Sequence, residues 1–277
     1  MNRLLEANIV RLLKDKIFWI CMIIMAVMAA FILNTCHRNG IEMGVEPRLD
    51  GGFFLEMQFI GVMIAAFCSM YVGTEYNDGT IRNKIVVGNK RSAIYLANFI
   101  TVSIAGVFIE LAYLLIFSAI GMPLFGVENT TWGDFGFGLL VSVMVVIAFS
   151  GIWTMLSMCI QNRTIVMAIT IIGAFLLLFA AIYIFSSLSE PPVWESYYAP
   201  DQAGNIIEFP EEVNTQYVSG VKRDIYTFLF NLNPAGQGLQ LARGMDTMNW
   251  WLPVYSLMIA IVSTVTGLAI FHKKDIK

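Results

Sequence analysis

Apolar runs nearly free of charge recur six times along the chain, and polar residues collect in the stretches between them. A bilayer hydrocarbon core of roughly 30 Å needs about 20 such residues as helix, because backbone groups left unpaired in lipid cost several kcal/mol each. The pattern predicts spans over residues 17–37, 54–74, 94–120, 135–160, 164–188 and 250–271. An even number of spans puts both termini on one side. The fold class expected is therefore an all-α integral membrane protein with six transmembrane helices.

The stretches outside the spans carry patterns of their own. Before the first span, Met1, Leu5, Ile9 and Leu12 recur at helical spacing, while Arg3, Arg11 and Lys14 fall opposite. This predicts an N-terminal interfacial amphipathic helix with its basic side toward headgroups, or else a plain extension of the first span. The longest loop, 189–249, is punctuated by Pro191, Pro192, Pro200 and Pro210, so its first part should be irregular or short-stranded. Its second part, 225–241, is apolar and aromatic around Asn231, Asn233, Pro234 and Gly236. That segment is too short and broken for two further spans, and a re-entrant or interfacial hairpin is expected instead.

Composition agrees with the pattern: 57% of the 277 residues are hydrophobic and 13% charged, about half the charged share of a soluble domain. The start does not read as a signal peptide, since charge reaches Lys16 and further apolar runs follow. A net charge of -3 gives no sign of a nucleic-acid partner. The distribution of Lys and Arg says more. Twelve of the seventeen (Arg3, Arg11, Lys14, Lys16, Arg82, Lys84, Lys90, Arg91, Arg163, Lys273, Lys274 and Lys277) flank the spans on the side of the termini. The other side holds Arg38, Arg48, Lys222, Arg223 and Arg243 amid acidic residues that include Asp201, Glu208, Glu211 and Glu212. By the positive-inside rule both termini are expected to be cytoplasmic, in a multi-pass protein of the cell membrane.

Candidate chemistry is sparse. His37 and His272 are the only histidines and belong to opposite membrane faces, which disfavours a histidine relay or a zinc site. Cys21, Cys36, Cys68 and Cys159 lack metal-ligand spacing and lie in or beside apolar runs. Ser150-Gly151 lacks the preceding glycine of a nucleophile elbow, and no GxxxxGK[ST] loop is present to cradle phosphates. No catalytic residue, metal or cofactor is assigned to this chain. Glu110 is the one acidic residue well inside a span: either a group of the translocation pathway, or interhelical glue satisfied by Ser103, Tyr113 and neighbouring polar groups.

The loop after the second span is the most informative segment: Glu75, Tyr76, Asn77, Asp78, Gly79, Thr80, Ile81, Arg82, Asn83, Lys84 and Ile85, then Gly88, Lys90 and Arg91. Asp78-Gly79 predicts a turn and Thr80 a cap for a short helix, with Ile81 and Ile85 on one exposed face suited to docking. The same loop could instead be only a basic segment that fixes topology.

This loop resembles a signature of the type-2 permeases of ABC transporters, in which a Glu-Tyr pair precedes Gly-Thr-Ile-Arg-Asn-Lys and then Gly and Arg before the third span. The resemblance extends to the basic start, the six spans, the large loop before the last span and the Lys-Lys-Asp tail after Phe271. It implies a single permease domain over 1–277, paired with a second permease, the same or a related chain, and with separate ATP-binding subunits that carry ATP and Mg. It also implies that Glu75, Tyr76, Gly79, Thr80, Ile81, Arg82, Asn83, Lys84 and Ile85 make a coupling helix docked on the ATPase. The cargo does not carry over; an amphipathic or apolar one, a peptide antibiotic or drug-like molecule, is the expectation adopted. The alternatives are a membrane scaffold or sensor that transports nothing, and an intramembrane enzyme, which the histidine placement disfavours.

Overall fold

The computed structural model describes residues 1–43, 52–126, 131–200, 206–209, 211–244 and 249–274; Arg48, Asp201, Pro210 and Lys277 lie outside the described residues. Helix α1 (Asn2–Lys14) leads almost directly into α2 (Lys16–Met43). The break falls at Asp15, whose Oδ1 accepts the N–H groups of Ile17 (2.8 Å) and Phe18 (3.3 Å) and so caps the second helix. Then follow α3 (Met57–Asn77), α4 (Thr80–Val86) and α5 (Arg91–Phe125). Helix α6 (Trp132–Cys159) starts at Thr131, whose hydroxyl accepts from the Asp134 amide, and α7 (Arg163–Ser189) at Asn162, which caps Thr164 and Ile165.

Four short strands come next, β1 (Val193–Trp194), β2 (Tyr197–Pro200), β3 (Ile206–Phe209) and β4 (Glu212–Val213). They nest as two antiparallel pairs, β2 with β3 inside β1 with β4. The chain re-enters helix at α8 (Gly220–Leu232) and α9 (Pro234–Arg243), split where Asn233 caps Ala235 and Pro234 takes the first helical position, and ends in α10 (Leu252–Lys273). Six of these helices, α2, α3, α5, α6, α7 and α10, are long and apolar enough to cross a bilayer. The chain is an all-α integral membrane protein apart from those short strands.

Helix α3 sits at the centre, against α6, α7 and α9. Crossings are tight because small residues admit neighbouring groups: a Cβ on Gly61 would lie 2.5 Å from the Phe149 ring, and one on Gly151 would lie 2.5 Å from Ser263 Oγ. Trp153 fills the space beside Gly61 and donates its indole N–H to the Gly61 carbonyl at 3.0 Å. Outward faces stay apolar, as Ile20, Ile23 and Val27 on α2 and Leu176 and Phe179 on α7 show, which is the surface a hydrocarbon solvent requires.

Two expectations change. Hydropathy shifts the bounds of α3 and α10 by two or three residues and underestimates the other long helices: α5 runs 35 residues, roughly 52 Å at 1.5 Å per residue, well beyond the hydrocarbon thickness. Helix ends follow caps and breakers, and these do not coincide with the edge of apolarity. The buried face of α1 is Leu4, Asn8 and Leu12, with Met1 exposed and Arg11 turned toward the protein. The periodicity misleads because Asn8, a polar residue, belongs to the inner stripe.

Candidate functional site

Helix α3 ends two residues after Glu75, so this carboxylate sits where the helix dipole disfavours negative charge, and its side chain is wholly buried. Such a charge needs compensation. Arg11 Nη1 of α1 and Lys84 Nζ of α4 (2.5 Å) both donate to Glu75 Oε1, while Asn98 Nδ2 of α5 donates to Oε2 at 2.9 Å. Arg11 also donates to the Tyr71 carbonyl at 2.9 Å and lies 3.7 Å over the Tyr71 ring. The Tyr71 hydroxyl donates to the Asn8 carbonyl (2.9 Å), Asn8 Nδ2 to Asn98 Oδ1 (2.9 Å), and Lys84 to Asn8 Oδ1 (3.1 Å). One closed network thus ties α1, α3, α4 and α5.

A second knot lies beside it. The Tyr76 hydroxyl donates to the Met158 carbonyl at 2.5 Å, near the end of α6. Lys274, just past α10, donates to that same carbonyl at 3.2 Å and sits 4.7 Å from the Tyr76 ring centre. Burial pulls the Lys274 ammonium below the usual lysine range. Arg91, opening α5, donates to the carbonyl oxygens of Phe271 and His272 (3.1 Å each) and of Lys274, closing the end of α10 with a cation. Hydrogen bonds thus join α3, α5, α6 and α10 to α1 and α4 at this end of the bundle, α2 enters as the direct continuation of α1, and α7 begins here with Arg163 against Gly73.

The loop residues divide between an inner and an outer face. Gly79, at φ 65°, occupies the capping position in the left-handed region, so Thr80 begins α4 instead of capping it. Ile81 is buried and Ile85 half-buried against the core, which corrects the expectation that they form an exposed face. The exposed residues of α4 and its exit are Arg82, Asn83, Val86 and Val87, with Lys90 beyond. Val86 and Val87 are 77% and 81% exposed, apolar tips that the protein itself does not cover. Glu75, Tyr76 and Lys84 point inward and build the platform beneath them.

Glu110 is not part of this cluster. It is fully buried on α5, roughly 28 Å along the axis from Arg91. It accepts from Ser142 Oγ of α6, whereas Ser103 and Tyr113, the partners that the sequence suggests, bond to the carbonyls of Phe99 (2.9 Å) and Gly52 (2.8 Å). A groove of about 500 Å³ opens between α2 and α5, lined by Leu33, Asn34, His37, Ile120, Leu124 and Phe125 among others, and Glu110 does not face it.

Sequence reasoning misses Asn8, Arg11, Tyr71, Asn98 and Lys274 as parts of the site. Asn98, an amide inside an otherwise apolar run, is the signal that could have found it. In comparison with known proteins, a family model described as ABC-2 family transporter protein matches residues 52–209, more than half of the chain. No curated protein matches it.

Proposed function

The chain belongs to the ABC-2 family of transporter proteins, and from this premise we propose that it is the membrane subunit of an ATP-driven exporter. As an ABC permease it works with ABC ATP-binding subunits. In our reading these are separate chains that carry ATP and Mg, two of them serving two permease copies. Both termini face the cytoplasm. Helix α4 seats on the ATPase, and nucleotide binding shifts the permease between inward and outward access because the two states bind nucleotide differently.

The observation that carries this reading is the two-sided build of α4. Its inner side is pinned by Ile81 and by Lys84 on Glu75; its outer side offers Val86 and Val87 beside Arg82, Asn83 and Lys90. Apolar anchors with a charged rim are what a docking helix requires. Push on that surface passes through the Lys84–Glu75 ion pair into α1, α3 and α5. Val87→Asp should cost about 2 kcal/mol of docking, roughly 30-fold in Kd, while leaving membrane insertion intact. Copurification with the cognate ATPase in detergent reads this out; an undiminished complex in both Val86→Asp and Val87→Asp would reject α4 as the docking element.

The apolar groove between α2 and α5 supports an amphipathic or apolar cargo, since its volume lies within the range of small-molecule sites and its polar groups are few. Orientation has its own test. A cysteine placed at Glu212, in a background without Cys36, should react with an impermeant thiol reagent in intact cells. Labelling only after lysis would reverse the topology.

A further inference from the structure

At the end of the bundle opposite α1 and α4, Glu56 lies in the turn that precedes α3, with no exposed surface and with neither carboxyl oxygen hydrogen-bonded. Aromatic rings crowd the turn: Phe53 packs edge-on against Phe117 and Phe135 at 5.6 and 5.3 Å, and Phe54 lies 5.9 Å from Phe135. Glu110 is close enough for its charge to act on Glu56, and it too keeps one oxygen, Oε2, without a partner. Two buried carboxyls thus present three oxygens without a well-formed hydrogen bond, the nearest donors being the backbone amide of Glu56 itself and the Ser142 hydroxyl already spent on Glu110 Oε1.

Among the described residues, neighbouring elements bring no cation to offset them. From α5, Tyr113 feels the Glu56 charge but donates its hydroxyl to the Gly52 carbonyl. On α2, Cys36 acts on Tyr113, His37 is turned to the Phe125 ring at 5.8 Å, and Arg38 is held by Glu42 at 3.8 Å. The acid of α6, Asp134, is bound to Thr131 at 2.5 Å. Helix α9 backs onto Met57 through Gly238, and its one charged residue, Arg243, lies 3.3 Å over the Phe185 ring. Helix α7 carries charge only at Arg163, at its other end.

We propose that Glu56 and Glu110 form a proton-binding site, with one proton resident on Glu56, whose occupancy stabilises this end of the bundle. A proton removes one of the two buried charges and turns an unpartnered acceptor of Glu56 into a donor. Two desolvated carboxylates acting on each other cannot both remain charged without a large cost. Burial, opposed by the carboxyl's own backbone amide and aided by the charge of Glu110, holds the Glu56 carboxyl well above the ordinary glutamate value of 4.5. The folded state therefore binds more protons than the unfolded state above that pH. Stability contributed by the proton is present in acid and is lost as pH rises through the folded-state value.

Infrared difference spectroscopy on the purified chain, together with thermal unfolding across pH, tests the site. At neutral pH the wild type should show a protonated-carboxyl C=O band that Glu56→Gln removes and that Glu110→Gln retains but titrates away at lower pH. The midpoint of unfolding should fall from mildly acidic toward alkaline pH in wild type, and fall less in Glu56→Gln. If Glu56→Gln fails to fold, the wild-type band and its titration in Glu110→Gln decide alone. No protonated-carboxyl band at neutral pH, or a band indifferent to both substitutions, would overturn the proposal.

Discussion

Glu75→Ala should loosen α1 and α4 together, although neither helix carries the substitution. The change removes the acceptor shared by Arg11 and Lys84 and leaves Asn98 Nδ2 with only the weak Met158 sulfur at 3.5 Å. Breaking a buried charge cluster by deleting one partner costs about 3 to 5 kcal/mol; the lower figure applies because Arg11 is 32% exposed and regains water. About 3 kcal/mol corresponds to roughly a hundredfold rise in local opening. Hydrogen exchange should therefore accelerate by that order in residues 5–14 and 83–86, with α6 and α10 little changed. Arg82→Ala is the control: Arg82 is exposed on the opposite side of α4 and should leave exchange as it was. In the transporter, Glu75→Ala should also uncouple ATP hydrolysis from transport more completely than Val87→Asp. The first severs α4 from the spans, whereas the second only weakens its grip on the partner. Unchanged exchange in α1 would show that the network does not join the two helices.

The sequence exposes some of these features and hides others for identifiable reasons. Six long apolar runs and the Asp78-Gly79 turn are local signals, and the helices at those places follow from them directly. The Glu75 network is not local. Its members are up to 90 residues apart, from Asn8 to Asn98, and apart from Asn98, an amide inside an apolar run, none stands out alone as a member of a buried network. Helical periodicity sends Arg11 to the headgroups because it treats every cation as outward-facing, and only the buried carboxylate at the end of α3 reverses that. The same limitation applies to Ile81 and Ile85. A spacing of four residues shows that two side chains share a face and does not tell which side the rest of the protein occupies. Glu110 stands out because charge inside an apolar run is conspicuous. Glu56, at the margin of the second run, is hidden by the ordinary expectation that span ends are wet. Only the aromatic cover from Phe53, Phe54, Phe117 and Phe135 makes it a buried group.

Gly238→Val should displace α9 from the bundle and lower thermal stability by about 3 kcal/mol, the upper part of the range for overpacked cores. A Cβ at Gly238 would lie 2.5 Å from the Met57 carbonyl oxygen and 3.1 Å from its carbon, so the clash is backbone against side chain and no rotamer relieves it. Room cannot come from the other side either. Gln237 is fixed to the Asn231 carbonyl at 2.7 Å and receives the Ser256 hydroxyl of α10, and Gly236 already abuts the Phe230 carbonyl. The strain must move α9 or the start of α3, and Glu56 immediately precedes that start. Displacement there would admit water to the carboxyl pair, so the Glu56 infrared band should titrate at lower pH in Gly238→Val than in wild type. Gly136→Ala supplies the opposite case. A methyl group at that helical glycine of α6 would meet nothing within 4 Å, and alanine there should stabilise by about 0.5 to 1 kcal/mol through helix propensity alone. Thermal unfolding of the two variants beside wild type decides the matter. Equal midpoints for Gly238→Val and wild type would mean that α9 does not press on Met57, and that its split at Asn233-Pro234 leaves it free to shift.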